Sequence, residues 1–170
     1  MEPDNPLRSL FRNVSTIKGI GPKTLPLIER VAGPYIRDVL FQLPLRFITR
    51  KILTARSEAA NDQVAILTVI PRRVSRGRTR SIISCDSSIG ALEIIYFNIP
   101  SQRLAVWLPI GEERLISGKL SLNNQRIQIT HPDKILRPEQ FSDLSLFEPV
   151  YGLTQGLTSK AYRTAVAASL

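Results

Sequence analysis

Three groups of side chains in this sequence are spaced for chemistry, and all three suit a polyanion. The first lies in IKGIGPKTLPLI, where Lys18, Gly19, Gly21 and Lys23 open an apolar helical pattern. Closely set glycines let backbone N–H groups approach a phosphate at a helix start, where the dipole also favours an anion. A nucleotide P-loop is excluded, because it needs four residues between its glycines and a lysine directly after the second. Here one residue separates Gly19 from Gly21, and Pro22 follows. Gly118-Lys119 runs into Leu120 within a strand pattern, so it is no Walker motif either. Two readings remain: a helix-hairpin-helix segment meeting a nucleic-acid backbone phosphate, or a plain Gly-Pro helix start that packs.

The second group is PRRVSRGRTRS, which crowds Arg72, Arg73, Arg76, Arg78 and Arg80 into one turn between strand patterns. Like charges this dense repel one another. Arginine pairs with phosphate through two donors and stacks on bases, so nucleic-acid contact is expected here; the alternative is a solvated hairpin tip. Arg126, in LNNQR, is the natural opposite wall, while Asn123-Asn124 has ordinary hairpin-turn chemistry.

The third group is Tyr96-Phe97. Adjacent strand residues point to opposite faces, so one is core and the other can be a stacking platform. Spacing alone does not say which. Trp107 is expected in the core.

Other chemistries are poorly supplied. Cys85 is the only cysteine and His131 the only histidine, which leaves no disulfide framework, thiolate cage or catalytic triad. Cys85 reads as a buried apolar residue and His131 as structural. No metal site and no catalytic residue is expected. Lys and Arg exceed Asp and Glu by 9, with a pI near 10.3, a domain-wide basic footprint that points to nucleic acid. No apolar run reaches the ~20 residues of a membrane span. The N-terminus is acidic and lacks a signal-peptide core, so a cytoplasmic, nucleoid-associated location is expected.

The elements that must position these residues read as α+β. Leu25, Ile28, Val31 and Ala32 recur at helical spacing; after Gly33-Pro34, a second helix is expected over Ile36, Val39, Leu40 and Leu43, ending at Pro44. RFITRKILTARSEAAND reads as a basic connector. From Val64 the texture turns to β: VAILTVIPRRV, RSIISCD, ALEIIYF, EERLISGKLSL and QRIQITH are five strands bounded by turn residues. IPSQRLAVWLPIG, between the third and fourth, holds one short helix. This order predicts an OB-fold, a five-stranded Greek-key barrel whose loops flank a ligand groove. A Pro- and Gly-punctuated linker follows, then a helix opened by Ser159 that runs to the last residue, as in a truncated chain. The expected organisation is a helical region over 1–60, the barrel over 61–137, and a linker with its helix over 138–170.

GIGPKTLPLIERVAG followed by IRDVLFQLPLRFITR resembles the N-terminal region of bacterial RecG, the ATP-dependent helicases that remodel branched DNA. The similarity continues through GALEIIYFNIPSQRL, GEERLISGKL, QITHPDKIL and PVYGLTQGLT. The resemblance implies that the barrel is the wedge that splits strands at a DNA branch, with Phe97 matching the aromatic that stacks on a junction base. A second aromatic, common four residues later in that family, is Ser101 here. It also implies action on forks and Holliday junctions in repair and recombination. ATP and magnesium would belong to motor domains that this chain lacks. Branched DNA, single-stranded DNA and those motor domains are the expected partners of a monomer, with Lys18, Lys23, Arg46, Arg50 and Lys51 as a secondary basic surface. The alternatives are a free-standing single-strand-binding protein and a basic protein-interaction module.

Overall fold

The computed structural model describes residues 6–123 and 126–170, so Asn124 of the expected Asn123-Asn124 turn lies outside the described residues. The chain forms two compact units, one of Ile48–Glu148 and one of Pro149–Leu170 with the residues through Phe47. Strands β1 (Arg46–Thr49) and β9 (Phe147–Val150) pair with each other, and the unit boundary falls inside both.

The larger unit is built on period-two patterning. Its strands are β2 (Lys51–Ile52), β3 (Val64–Arg76), β4 (Arg80–Ser87), β5 (Gly90–Phe97), β6 (Arg114–Asn123), β7 (Arg126–Thr130) and β8 (Lys134–Leu136), with α4 (Ser101–Trp107) between β5 and β6. Five of them close a ring: β3 pairs with β4, β4 with β5, β5 with β7, β7 with β6, and β6 returns to β3. All these pairings are antiparallel except β5 with β7, which is parallel. Alternate residues fill the ring: Ala65, Leu67 and Val69; Ile83 and Cys85; Leu92, Ile94 and Tyr96; Ile116 and Leu120; Ile127 and Ile129. Leu104 and Leu108 at the end of α4 are buried in the same cluster.

Gly118 sits between Ile116 and Leu120 on β6, and a β-carbon there would collide with the Ile129 side chain. Its place is set by that close approach. The five long strands start and stop within a few residues of their expected limits. The short ones, β1, β2, β8 and β9, replace parts of the expected connectors; β2 lies parallel to β3 through Lys51↔Ala65 and Ile52↔Ile66.

The smaller unit comprises α1 (Pro6–Leu10), α2 (Leu25–Val31), α3 (Ile36–Phe41) and α5 (Ser159–Ala167). Val14, Ile17, Ile28, Val39, Leu157, Tyr162 and Ala165 make its buried cluster. The arm before the glycines is only a 3-10 turn, Val14–Thr16, since Ile17 is already extended at φ −73°, ψ 125°. Helix α3 stops at Phe41 and leaves Leu43 exposed, because a residue preceding proline is pushed out of the helical region. The cap of α5 is Thr158 rather than Ser159: its Oγ1 accepts from the Ala161 N–H at 3.2 Å. Among the described residues no helix is long and apolar enough to cross a membrane.

Candidate nucleic-acid interface

The β3–β4 hairpin carries the arginines on its arms more than on its tip. Arg72, Arg73 and Arg76 belong to β3, Arg80 opens β4, and only Arg78 lies in the turn. All five are exposed. Arg72 Nε meets Asp86 Oδ2 at 2.7 Å across the hairpin, with both side chains more than half exposed. Such an exposed pair contributes little and yields readily to another anion. Among the described residues Arg73, Arg76, Arg78 and Arg80 have no ion-pair partner. Four uncompensated cations on one short hairpin make a strongly positive surface.

The aromatic pair is phased by the barrel. Tyr96 is 3% exposed and packs in the core, whereas Phe97 is 44% exposed. Phe97 is the cross-strand partner of Arg80, so the two side chains rise side by side from one face. Its backbone is held on both sides. The Phe97 N–H donates to His131 Nε2 at 3.2 Å, and the Asn98 N–H donates to the Thr79 carbonyl at 3.1 Å.

His131 follows β7, takes φ +48°, and donates its own N–H to the Ile95 carbonyl at 3.0 Å. Its ring stands edge-on to Tyr96 at 5.2 Å and tilted against Phe97 at 5.9 Å. Because Nε2 accepts, the neutral ring carries its proton on Nδ1. His131 is therefore the anchor of the exposed aromatic, a role its isolation in the sequence gave no means of seeing. The parallel pairing of β5 with β7 brings it there.

Trp107 corrects another expectation. It is the last residue of α4 and is 36% exposed, with its ring 6.0 Å from Tyr96 and the Arg103 guanidinium 5.7 Å from its centre. The helix turns Leu104 and Leu108 inward, which leaves the position before Leu108 at the rim.

Arg126 starts β7 beside the opposite end of β5, since Ile127 pairs with Leu92. It lies 3.4 Å from Glu93 and shares a cleft of about 390 Å³ with Arg72, away from Phe97. Arg72, Arg73 and Arg76 also border a cleft of about 510 Å³ against Leu104, Leu108 and Ile110.

Arg50 does not belong to any basic surface. It is 4% exposed, its Nε donates to Ser117 Oγ at 2.9 Å, and Nη2 meets Asp133 and Glu148. Burial alone would push the guanidinium down, but hydrogen bonds and charge from Asp133 and Glu148 hold it above its usual value. Arg46 and Lys51, on either side of it, are exposed.

In the smaller unit the glycine turn is real: Gly19 has φ +92°, and the Gly21 carbonyl accepts from Thr24 and Leu25 N–H groups as α2 begins. Lys18, Gly19 and Thr24 line a cleft of about 250 Å³ with Lys160 and Thr164 of α5. Lys160 was not singled out from the sequence, because the two segments meet only in the fold. Lys23 is exposed outside that cleft.

Other chemistry is sparse. Burial, helped by Asp86, pushes the Cys85 thiol up to about 12, so it is neither ionised nor reactive near neutrality. Burial likewise takes the Tyr96 hydroxyl up to about 12. Among the described residues no three His, Cys, Asp or Glu side chains are grouped to hold a metal.

No protein-family model matches the chain. It is 26% identical over 165 residues to the ATP-dependent DNA helicase RecG of Acidithiobacillus ferridurans, covering 95% of this chain and 24% of that protein. It is 27% identical over 155 residues to RecG of Staphylococcus epidermidis, covering 86% and 22%. The structure of RecG bound to a three-way DNA junction matches 93% of this chain and 22% of that one, with a TM-score of 0.67 at 18% identity. The chain thus spans about a quarter of the length of the curated relatives it matches.

Proposed function

We propose that this chain, similar to the RecG helicases over nearly all of its length, is the branched-DNA-binding wedge portion of a RecG-like ATP-dependent helicase. In this reading the closed ring is an OB-fold. Its cyclic order β3-β4-β5-β7-β6, with a helix between the third and fourth ring strands, supports that assignment. The substrates would be stalled forks and Holliday junctions met in recombination and repair, in the cytoplasm, by a monomer associated with the nucleoid.

One observation carries the reading: Phe97 stands half exposed beside Arg80, near the tip of a hairpin on which Arg73, Arg76, Arg78 and Arg80 have no ion-pair partner among the described residues, with its backbone pinned by His131. Phe97 caps a base unstacked at the branch, which supplies ~1–3 kcal/mol of stacking. Arg72, Arg73, Arg76, Arg78 and Arg80 neutralise phosphates on the separated strands, and Arg126 meets the strand at the far end of β5. Lys18, Gly19, Gly21, Lys23 and Arg46, in the smaller unit, offer a secondary basic surface for duplex or for the motor, and Lys51 adds an exposed cation in the larger unit. ATP hydrolysis, with its magnesium, belongs to that motor, and no residue of this chain is assigned to it. Translocation there drives duplex against the wedge, which acts passively.

The test compares a three-way junction, a single strand and plain duplex at fixed salt. The junction should bind most tightly, and Phe97→Ala should cost it roughly tenfold while sparing duplex. Arg76→Ala should weaken all three alike and reduce the salt slope by about 1. Equal affinity for single strand and junction would overturn the wedge assignment in favour of a single-strand binder.

A further inference from the structure

Behind Phe97, on the far side of His131, lies a cleft of about 320 Å³ lined by Tyr96, Ile99, Trp107, His131, Pro132, Asp133 and Ile135. We propose that this cleft is a receptacle for a single nucleobase turned out of the stack, distinct from the base that Phe97 caps. The inference rests on the DNA-binding reading above and extends it to a second nucleotide.

Three observations converge on a nucleobase. First, the cleft has the size of a small-molecule site and its borders are flat: the rings of Tyr96, Trp107 and His131, with Pro132 and two isoleucines between them. Such borders select a planar aromatic guest, and every base offers a π-face. Second, two polar groups there lack a partner. The Tyr96 hydroxyl is buried with no hydrogen bond, an unmet desolvation cost that a partner would relieve. His131 uses Nε2 to hold Phe97, which leaves the Nδ1 proton available to a base carbonyl or ring nitrogen. In this proposal the rim residue Trp107, whose ring is 6.0 Å from that of Tyr96, shifts outward to admit the guest to the hydroxyl.

Third, the surroundings fit a guest attached to phosphates. Arg103 lies against the Trp107 ring, and Arg80 stands beside Phe97 one ring away. A strand whose branch base stacks on Phe97 would pass its next nucleotide over His131 into the cleft. The His131 ring is then the partition between two base positions.

Trp107 is the only tryptophan, so its emission reports on the cleft directly. The experiment titrates the chain with an end-labelled three-way junction, following label anisotropy and Trp107 emission together. It is repeated with junctions made abasic at the branch nucleotides of each arm in turn. Anisotropy should rise in every case, and emission should fall for the intact junction but recover for one abasic position that is not the position sensitive to Phe97→Ala. Trp107→Leu, and independently Ile99→Phe to fill the cleft, should each weaken the intact junction roughly tenfold and leave the abasic one unaffected.

Binding without any change in Trp107 emission would overturn the receptacle and leave the wedge reading standing. Equal loss of emission with intact and abasic junctions would also overturn it, since a passing backbone would then be the cause. Absence of junction binding would sink the functional reading itself.

Discussion

At the scale of single residues, the clearest consequence concerns Arg50. Its guanidinium binds Ser117 and the carboxylates of Asp133 and Glu148 while almost fully buried. Replacing it by alanine removes its hydrogen bond to Ser117 and its charge from Asp133 and Glu148; because Asp133 is 42% and Glu148 15% exposed, the cost falls below the ~3–5 kcal/mol of a fully buried pair. Arg50→Ala should therefore shift the urea midpoint downward. Junction affinity, measured below that midpoint, should change far less than for Arg76→Ala. From the sequence Arg50 looks like one more surface cation between Arg46 and Lys51, because its carboxylate partners are distant in the chain. Tyr96 and Phe97 show the opposite limit. That they face opposite ways is legible from strand geometry, but which one faces out depends on where the ring closes. Trp107, expected in the core, lies at the rim for a similar reason: the phase of α4 is set by Leu104 and Leu108.

At the scale of elements, the barrel strands could be read because β-branched runs and turn residues are local signals, and the helix at 101–107 because the segment between two strand patterns is long enough for one. The strands of two to four residues, β1, β2, β8 and β9, could not. Their extended form is imposed by neighbours rather than by propensity, and in sequence they look like connectors. The same holds at Thr158, where the choice of cap over Ser159 depends on which residue first turns helical. Gly118 makes the element-level point testable. Its missing side chain lets β6 and β7 approach at Ile129, so Gly118→Ala overpacks the ring. We expect a loss of about 1–3 kcal/mol, read as a lowered denaturation midpoint. Because the colliding atom is Ile129 Cγ2, which valine retains, a further change of Ile129→Val should restore little of it.

At the scale of the molecule, each unit seals one tyrosine. Burial pushes Tyr96 in the larger unit and Tyr162 in the smaller up to about 12 from an ordinary 10.0. A proton held more tightly in the folded state stabilises that state fully below pH 10, and the contribution is lost as pH rises from 10 to about 12. Unfolding should thus become progressively easier across that window, followed by denaturant midpoints at stepped pH. Tyr96→Phe and Tyr162→Phe should each flatten the slope. In the sequence Tyr96 is one of a pair of which either could be core, and nothing marks Tyr162, because being sealed is a property of assembled packing.

The arginine hairpin also bears on self-association. The pairing of β3 with β6 ends at Val69↔Arg114, so from Ile70 to Arg76 one edge of β3 has no neighbouring strand among the described residues. The Pro71 carbonyl there accepts from the Gly111 N–H at 2.8 Å, and the rest of a strand edge without a neighbour is a template on which a second copy can add a strand. This one carries Pro71, which has no N–H to offer, and three exposed arginines that would face the same three across a two-fold pairing. The residues that would meet a polyanion would thus also oppose two-fold pairing of this edge with a second copy, and neutralising that charge would weaken the opposition.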